Sequence, residues 1–264
     1  MSRVLVTGSR GVLGRRLLAL LCDAHDHVVE FEGDVTDLHD IRRNITGARE
    51  ITHVFHLAAI VPTDSVASDL SRALQVNSIA PAVLLSCLNE AGLKPWYCHV
   101  SSSHVYRPSN GMISEDAVCN PSSLYGVTKY LGEINLVTVA EQLNMSVCIA
   151  RVFSYFDEIQ TGSFLYPSWK KRVADWDGSS KLIVLGGDSV RDFSHASDIA
   201  SKLKVLADKR FTGAINIGSG NECSVKEFLK RQLGENLPFE SHGETNTIVP
   251  NLEKLKAVTG NQDD

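Results

Sequence analysis

Short apolar runs alternate along the chain with longer stretches whose apolar positions recur at helical spacing. The runs at 4–7, 28–31, 54–57, 96–101 and 146–152 read as strands, and the stretches at 11–22, from 38 onward, at 65–91 and at 124–143 read as helices. That is βαβ order, so the pattern predicts a parallel sheet covered by helices on both faces. After 153 the rhythm loosens. A segment rich in aromatic and basic residues, SFLYPSWKKRVADW, precedes a strand at 181–185, a helix at 196–207, a strand at 214–217 and a helix at 224–233. A main domain over 1–155 and a smaller lobe over 156–264 are expected, with 185–217 returning in part to the main domain. The polar end of the chain, 260–264, is expected to be disordered.

With 264 residues, 43% of them hydrophobic, the chain can bury a large core. Its net charge of -5 gives no general attraction for nucleic acid or an anionic membrane. The six cysteines show no Cys-x-x-Cys spacing and no histidine at metal-ligand intervals, so no metal is expected and the thiols read as reduced. MSRVLVTG runs from a strand straight into a turn, unlike a secretory signal, and no apolar run is long enough to span a bilayer. A soluble, cytoplasmic protein is expected.

TGSRGVLG places Gly8, Gly11 and Gly14 between the first strand and the first helix, with Val12 and Leu13 opening that helix. Close backbone approach and free helix N–H groups are what a pyrophosphate needs, so this turn points to a dinucleotide. The expected fold is therefore α/β, a doubly wound parallel sheet of Rossmann type with a smaller C-terminal substrate-binding lobe. Glu32 follows at the spacing of the acid that holds an adenosine ribose. Asp34 and Val35 of GDVTD can face the adenine, while Thr36 or Asp37 reads equally as a helix cap. Tyr125 and Lys129 stand four apart on a helix and share a face. A tyrosine with an ordinary pKa of about 10 is a poor base at neutral pH, and a neighbouring ammonium favours its phenolate. Such a phenolate takes an alcohol proton while the carbon gives up hydride, and a serine at a strand end can bond the same oxygen.

In their order along the chain, the glycine turn, GDVTD, HLAA, VNSIAP, SSSHVY, YGVTK, SVRDFSHASD and NIGSGNECS resemble the extended short-chain dehydrogenases/reductases that modify nucleotide sugars. The resemblance covers nearly the whole length. It implies Ser102, Tyr125 and Lys129 as the catalytic set, with Ser103 beside the substrate and His104 where relatives place a proton-transferring residue. Leu57, Ala58 and Ala59 would line the cofactor, and Asn77 would support that wall. Arg191 matches an arginine that holds a substrate diphosphate, while His195 and Asp198 are read as ordering their turn. Arg10 matches a position where NADP-dependent members use arginine against the ribose phosphate; Glu32 argues for NAD, so the cofactor is NAD or NADP. A homodimer is also expected.

Departures narrow the reading. Ser103-His104 stands where 4,6-dehydratases carry Asp-Glu, and Ser154 replaces a usual asparagine. The expected activity is therefore that of a sugar-nucleotide 4-epimerase or 4-ketoreductase. A reductase of a small carbonyl compound and a non-catalytic dinucleotide sensor are the alternatives.

Overall fold

The computed structural model describes residues 2–24, 26–46, 50–61, 63–109 and 111–260, so most of the polar end expected to be disordered lies outside it. Along the chain run β1 (Arg3–Thr7), α1 (Val12–Asp23), β2 (His27–Glu30), α2 (Leu38–Thr46), β3 (His53–His56), α3 (Thr63–Ser68) and α4 (Leu70–Leu74). A π-helical turn (Gln75–Ile79), α5 (Ala80–Glu90), β4 (Trp96–Ser102), a 3-10 turn (Ser103–Val105), α6 (Leu124–Gln142) and β5 (Val147–Val152) follow. The remainder comprises β6 (Tyr155–Phe156), α7 (Leu165–Ala174), β7 (Leu182–Leu185), β8 (Val190–Asp192), β9 (Ser194–His195), α8 (Ala196–Asp208), β10 (Gly213–Ile217), β11 (Glu222–Ser224), α9 (Val225–Leu233), β12 (Phe239–His242), β13 (Thr247–Ile248) and α10 (Glu253–Thr259).

Six strands pair in parallel in the order β2-β1-β3-β4-β5-β10. The central strands are buried along nearly their whole length, as apolar strands with two covered faces must be. On one face Leu13, Leu17 and Leu21 of α1 pack with Ile199, Leu203 and Leu206 of α8. On the other, Ile41 and Ile45 of α2 join Leu84, Leu85 and Leu88 of α5 and Leu136 of α6. Each such leucine or isoleucine contributes about 1.5–3 kcal/mol by leaving water. The connections leaving β1 and β3 run in opposite directions across the sheet, and a crevice opens at their carboxyl ends, where ligands of open α/β sheets bind.

The single helix expected over 65–91 is broken. Asp69 leaves helical geometry, and its carboxylate accepts the Arg72 N–H to restart the chain as α4. Within the π-helical turn Asn77 is fully buried, its Oδ1 accepting the Ile60 N–H and its Nδ2 donating to the Ile60 carbonyl and Thr128 Oγ1. Asn77 thus ties the chain after β3 to α6. Asp37 caps α2, accepting the N–H groups of His39 and Asp40.

Beyond β5 the short strands form small sheets, β11-β8-β13, β12-β7 and β6-β9, around Tyr166, Leu182, Val184, Phe228 and Phe239. α8 and β10 rejoin the main layers. Arg16 of α1 grips the buried Asp157 carboxylate through Nε and Nη2 at 2.7 and 2.8 Å, joining the first helix to the chain that enters the lobe. No helix among the described residues is long and apolar enough to cross a membrane.

Candidate active site

A cleft of about 1410 Å³ lies between the carboxyl ends of the strands and the lobe. Gly8, Arg10, Gly11, Val12, Leu13 and Gly14 line its start. Gly8 has φ +70°, and a Cβ there would stand 2.6 Å from the Ala58 nitrogen. A Cβ on Gly14 would collide with the Gly8 carbonyl and lie 2.7 Å from the Ser9 carbonyl oxygen. The turn therefore presses the start of α1 against β1. Gly11 offers α1 no side-chain cap, and no acid stands in its first turn, so the positive end of the helix opens on the cleft. This cradle fits a dinucleotide pyrophosphate. Asp34, Val35, Leu57, Ala58 and Ala59 line the adjoining wall.

Glu32 and Asn77 are not among the lining residues. For Glu32 the reason is the alternation of sides at the end of β2. The Phe31 N–H still bonds the Val6 carbonyl and Phe31 takes the cleft side, so Glu32 turns outward and its backbone bonds Asn44. Glu32 is exposed and stands outside that lining, which Gly33 and Asp34 enter. Asn77 braces Ile60 and Thr128 from behind. Asp34 does reach the cleft, but one carboxylate oxygen takes the Arg72 guanidinium at 2.6 Å and the other takes the Thr36 N–H and hydroxyl. These bonds, Arg72 foremost, hold its pKa down at about 2.

Ser123 caps α6 by accepting the Gly126 N–H, and this starts the helix where Tyr125 faces the cleft. Ser102, at the end of β4, lies opposite. Burial pushes the Tyr125 phenol above its ordinary pKa, the Ser102 hydroxyl opposes that shift, and the nearby Tyr155 adds to it. Lys129 lines the same wall, yet its Nζ donates to the Val100 carbonyl at 2.8 Å and meets His99 Nε2 at 3.3 Å. Burial lowers its pKa to about 8 against the opposing charge of Glu133. Lys129 thus shares the cleft wall with Tyr125 while two of its ammonium contacts are made to groups of β4. Ser103 is buried in the cleft wall. His104 stands edge-on to Tyr125, ring centres 5.4 Å apart, and its pKa is lowered first by the surrounding protein and then by the Arg191 charge.

Arg191 of β8 lines the lobe side. Its guanidinium donates to the carbonyls of Val190 and Asn246 and to Asn246 Oδ1, and among the described residues no carboxylate pairs with it. A positive charge held by neutral acceptors is suited to an anion. Beside it Phe193 stacks on Phe228 with ring centres 3.9 Å apart. His195 caps α8 and contacts Glu158, outside the cleft, while Asp198 stands in the first turn of that helix. Sequence reasoning missed Arg72, Tyr155 and the Phe193–Phe228 stack. Phe193 was within reach, being two residues beyond Arg191, whereas Arg72 meets Asp34 only through the fold.

The family described as NAD dependent epimerase/dehydratase matches residues 4–218. GDP-6-deoxy-D-mannose reductase of Pseudomonas aeruginosa is 27% identical over 242 residues, covering 86% of this chain and 78% of that protein. MoeE5 in complex with UDP-glucuronic acid and NAD superposes with a TM-score of 0.83 at 26% identity, covering 98% of this chain and 93% of MoeE5. RMD from Pseudomonas aeruginosa complexed with NADPH has the same fold, with a TM-score of 0.86 at 23% identity and coverage of 98% and 93%. The chain belongs to the NAD dependent epimerase/dehydratase family, the extended short-chain dehydrogenases/reductases, and is an NAD(P)-dependent enzyme of that family.

Proposed function

We propose that the enzyme is an oxidoreductase of a nucleotide-activated sugar, reducing a keto group at carbon 4 with NADPH. The observation that carries this reading is the joining, in one cleft, of a dinucleotide cradle, the Ser102 and Tyr125 hydroxyls and an Arg191 that has no acidic partner among the described residues. The nicotinamide, when bound, supplies hydride to the sugar carbon. Tyr125 gives its proton to the oxygen that becomes the alcohol, Ser102 bonds that oxygen, and the Lys129 ammonium supports the phenolate left behind. Arg191 holds the diphosphate, for which a small carbonyl substrate would have no use.

NADPH is favoured because Glu32 stands outside the cleft while Arg10 and Arg15 line it, so the acid expected to repel a ribose phosphate is not in position. In this reading 1–155 bind the cofactor and 156–264 the substrate, with part of 185–217 returned to the main sheet. The free cysteines support a cytoplasmic location. A homodimer is supported by α6, which exposes Leu124, Val127, Leu131 and Ile134 at the heptad spacing of a helix seam that a second copy would cover by two-fold symmetry. Light scattering of Ile134→Glu would report a monomer if that seam joins the copies.

A 4-keto nucleotide sugar should consume NADPH one for one, and Arg191→Ala should raise KM for it at least about tenfold with cofactor affinity unchanged. Interconversion of two 4-epimers with bound NAD and no net change in cofactor would establish the epimerase instead. Arg191→Ala kinetics equal to wild type would remove the diphosphate contact.

A further inference from the structure

Behind Lys129 two histidines lie in the core of the sheet. His56 on β3 and His99 on β4 are paired in register, are fully buried, and have ring centres 5.6 Å apart. Registered neighbours share a face of the sheet, and here that face looks toward α6. An ammonium has only donors, so at the 3.3 Å contact Lys129 Nζ donates and His99 Nε2 accepts. The proton of a neutral His99 then sits on Nδ1, a nitrogen with no partner among the described residues. His56 meets Thr7 Oγ1 through Nδ1 at 3.1 Å, and its Nε2 also has no partner among the described residues. Phenylalanine at either position would remove the unsatisfied ring nitrogen, at the cost of the contact to Lys129 or to Thr7. Burial and the Lys129 charge keep both rings neutral, His56 titrating at about 3 and His99 well below the ordinary range, where His56 adds to the shift.

We propose that His99 is the positioning residue for Lys129: its unprotonated Nε2, with the Val100 carbonyl, engages two of the three ammonium N–H bonds and leaves the third for the cleft, while His56 packs behind to orient the ring. The proposal rests on the reading of Tyr125 and Lys129 as a proton-transfer pair. Apart from these two imidazoles, the titratable groups around Lys129 are Glu133 one turn along α6, whose carboxylate is shared with Arg151 of β5, and Tyr125 one turn back. On the 3-10 turn that packs on α6, His104 contacts Tyr125, and on α4 Arg72 is engaged by Asp34. Glu133 is thus the acid whose charge favours the ammonium, and His99 is a neutral acceptor that favours it further by offsetting desolvation.

Protein labelled with carbon-13 at lysine Cε, with the Lys129 signal assigned by its loss in Lys129→Met, reports the pKa of that amine without any substrate. Wild type should titrate near 8. A hydrogen bond to a charged group corresponds to about one to two pH units, so His99→Phe should titrate lower by that amount. His99→Leu serves if the larger ring disturbs folding. His99→Gln, whose Oε1 can take the place of Nε2, should return the wild-type value. A wild-type pKa in the apolar variants, with or without a fall in melting temperature, would overturn the proposal, as would an equal drop in His99→Gln. Because the readout needs no turnover, it stands apart from the identity of the sugar.

Discussion

Replacing Tyr125 by phenylalanine removes one oxygen from the cleft and leaves the ring among Val66, Ala73 and the edge of His104. The interaction lost is that with Ser102. A neutral hydrogen bond contributes about 0.5–1.5 kcal/mol net, and in a chain of this size each kcal/mol moves the melting temperature by about 2–4 °C, so the loss should stay under about 6 °C. Catalysis should suffer far more. General acid-base transfer contributes about 10²–10⁴-fold, or about 3–5.5 kcal/mol of barrier. The assay pairs circular-dichroism melting with steady-state turnover of a 4-keto nucleotide sugar, and titrates NADPH by tryptophan fluorescence on the same preparation. A variant that melts normally, binds NADPH and turns over at the wild-type rate would refute the assignment of proton transfer to this hydroxyl.

Gly14→Ala forces a methyl group against the Gly8 and Ser9 carbonyls; it should cost about 1–3 kcal/mol of stability and weaken NADPH at least about tenfold, as denaturant titration and fluorescence would report. Glu133→Gln leaves the buried Arg151 guanidinium without a counter-charge, retaining the Tyr106 hydroxyl and the Glu115 carbonyl as acceptors. The expected loss is about 3–5 kcal/mol, read as a fall of about 6–20 °C in melting temperature; an unchanged midpoint would count against the pair. His104 carries a pKa below its ordinary 6.5 because protein surrounds it and Arg191 opposes its charge, so it is neutral at pH 7 and protonates only as the pH falls. If it acts as a base, His104→Ala removes an acidic limb from the rate profile and Arg191→Ala moves that limb to higher pH; an unaltered profile in His104→Ala would leave it a structural ring.

The alternating pattern of strands and helices carried the six-stranded sheet, because parallel strands covered on both faces are apolar runs and their helices are amphipathic. Tyr125 and Lys129 were expected to share a helix face, and both line the cleft. Where the Lys129 ammonium points was not legible, since the Val100 carbonyl and His99 belong to a strand far away in sequence. Glu32 was chosen by spacing from Gly14, and spacing does not carry the side to which a residue turns; the Phe31 N–H bond to Val6 fixes that parity. The break at Asp69 was hidden because Asp69 sits in an otherwise helical stretch and reveals itself as a cap only through its bond to Arg72. The Asp34–Arg72 pair depends on α4 packing across the cleft from the end of β2, a relation between elements that neither segment encodes alone.

β10 joins the main sheet beside β5, but residues 153–212 lie between them in the chain. During synthesis on a ribosome, β5 is therefore made long before its outer neighbour. Until Gly213–Ile217 emerges, a strand whose every residue is buried in the finished protein, Val147–Val152, presents a row of free backbone donors and acceptors to other nascent chains. Truncations that stop short of Ile217 should thus aggregate even though they retain the whole glycine turn and the Tyr125 wall, because the β5 edge stays open in them.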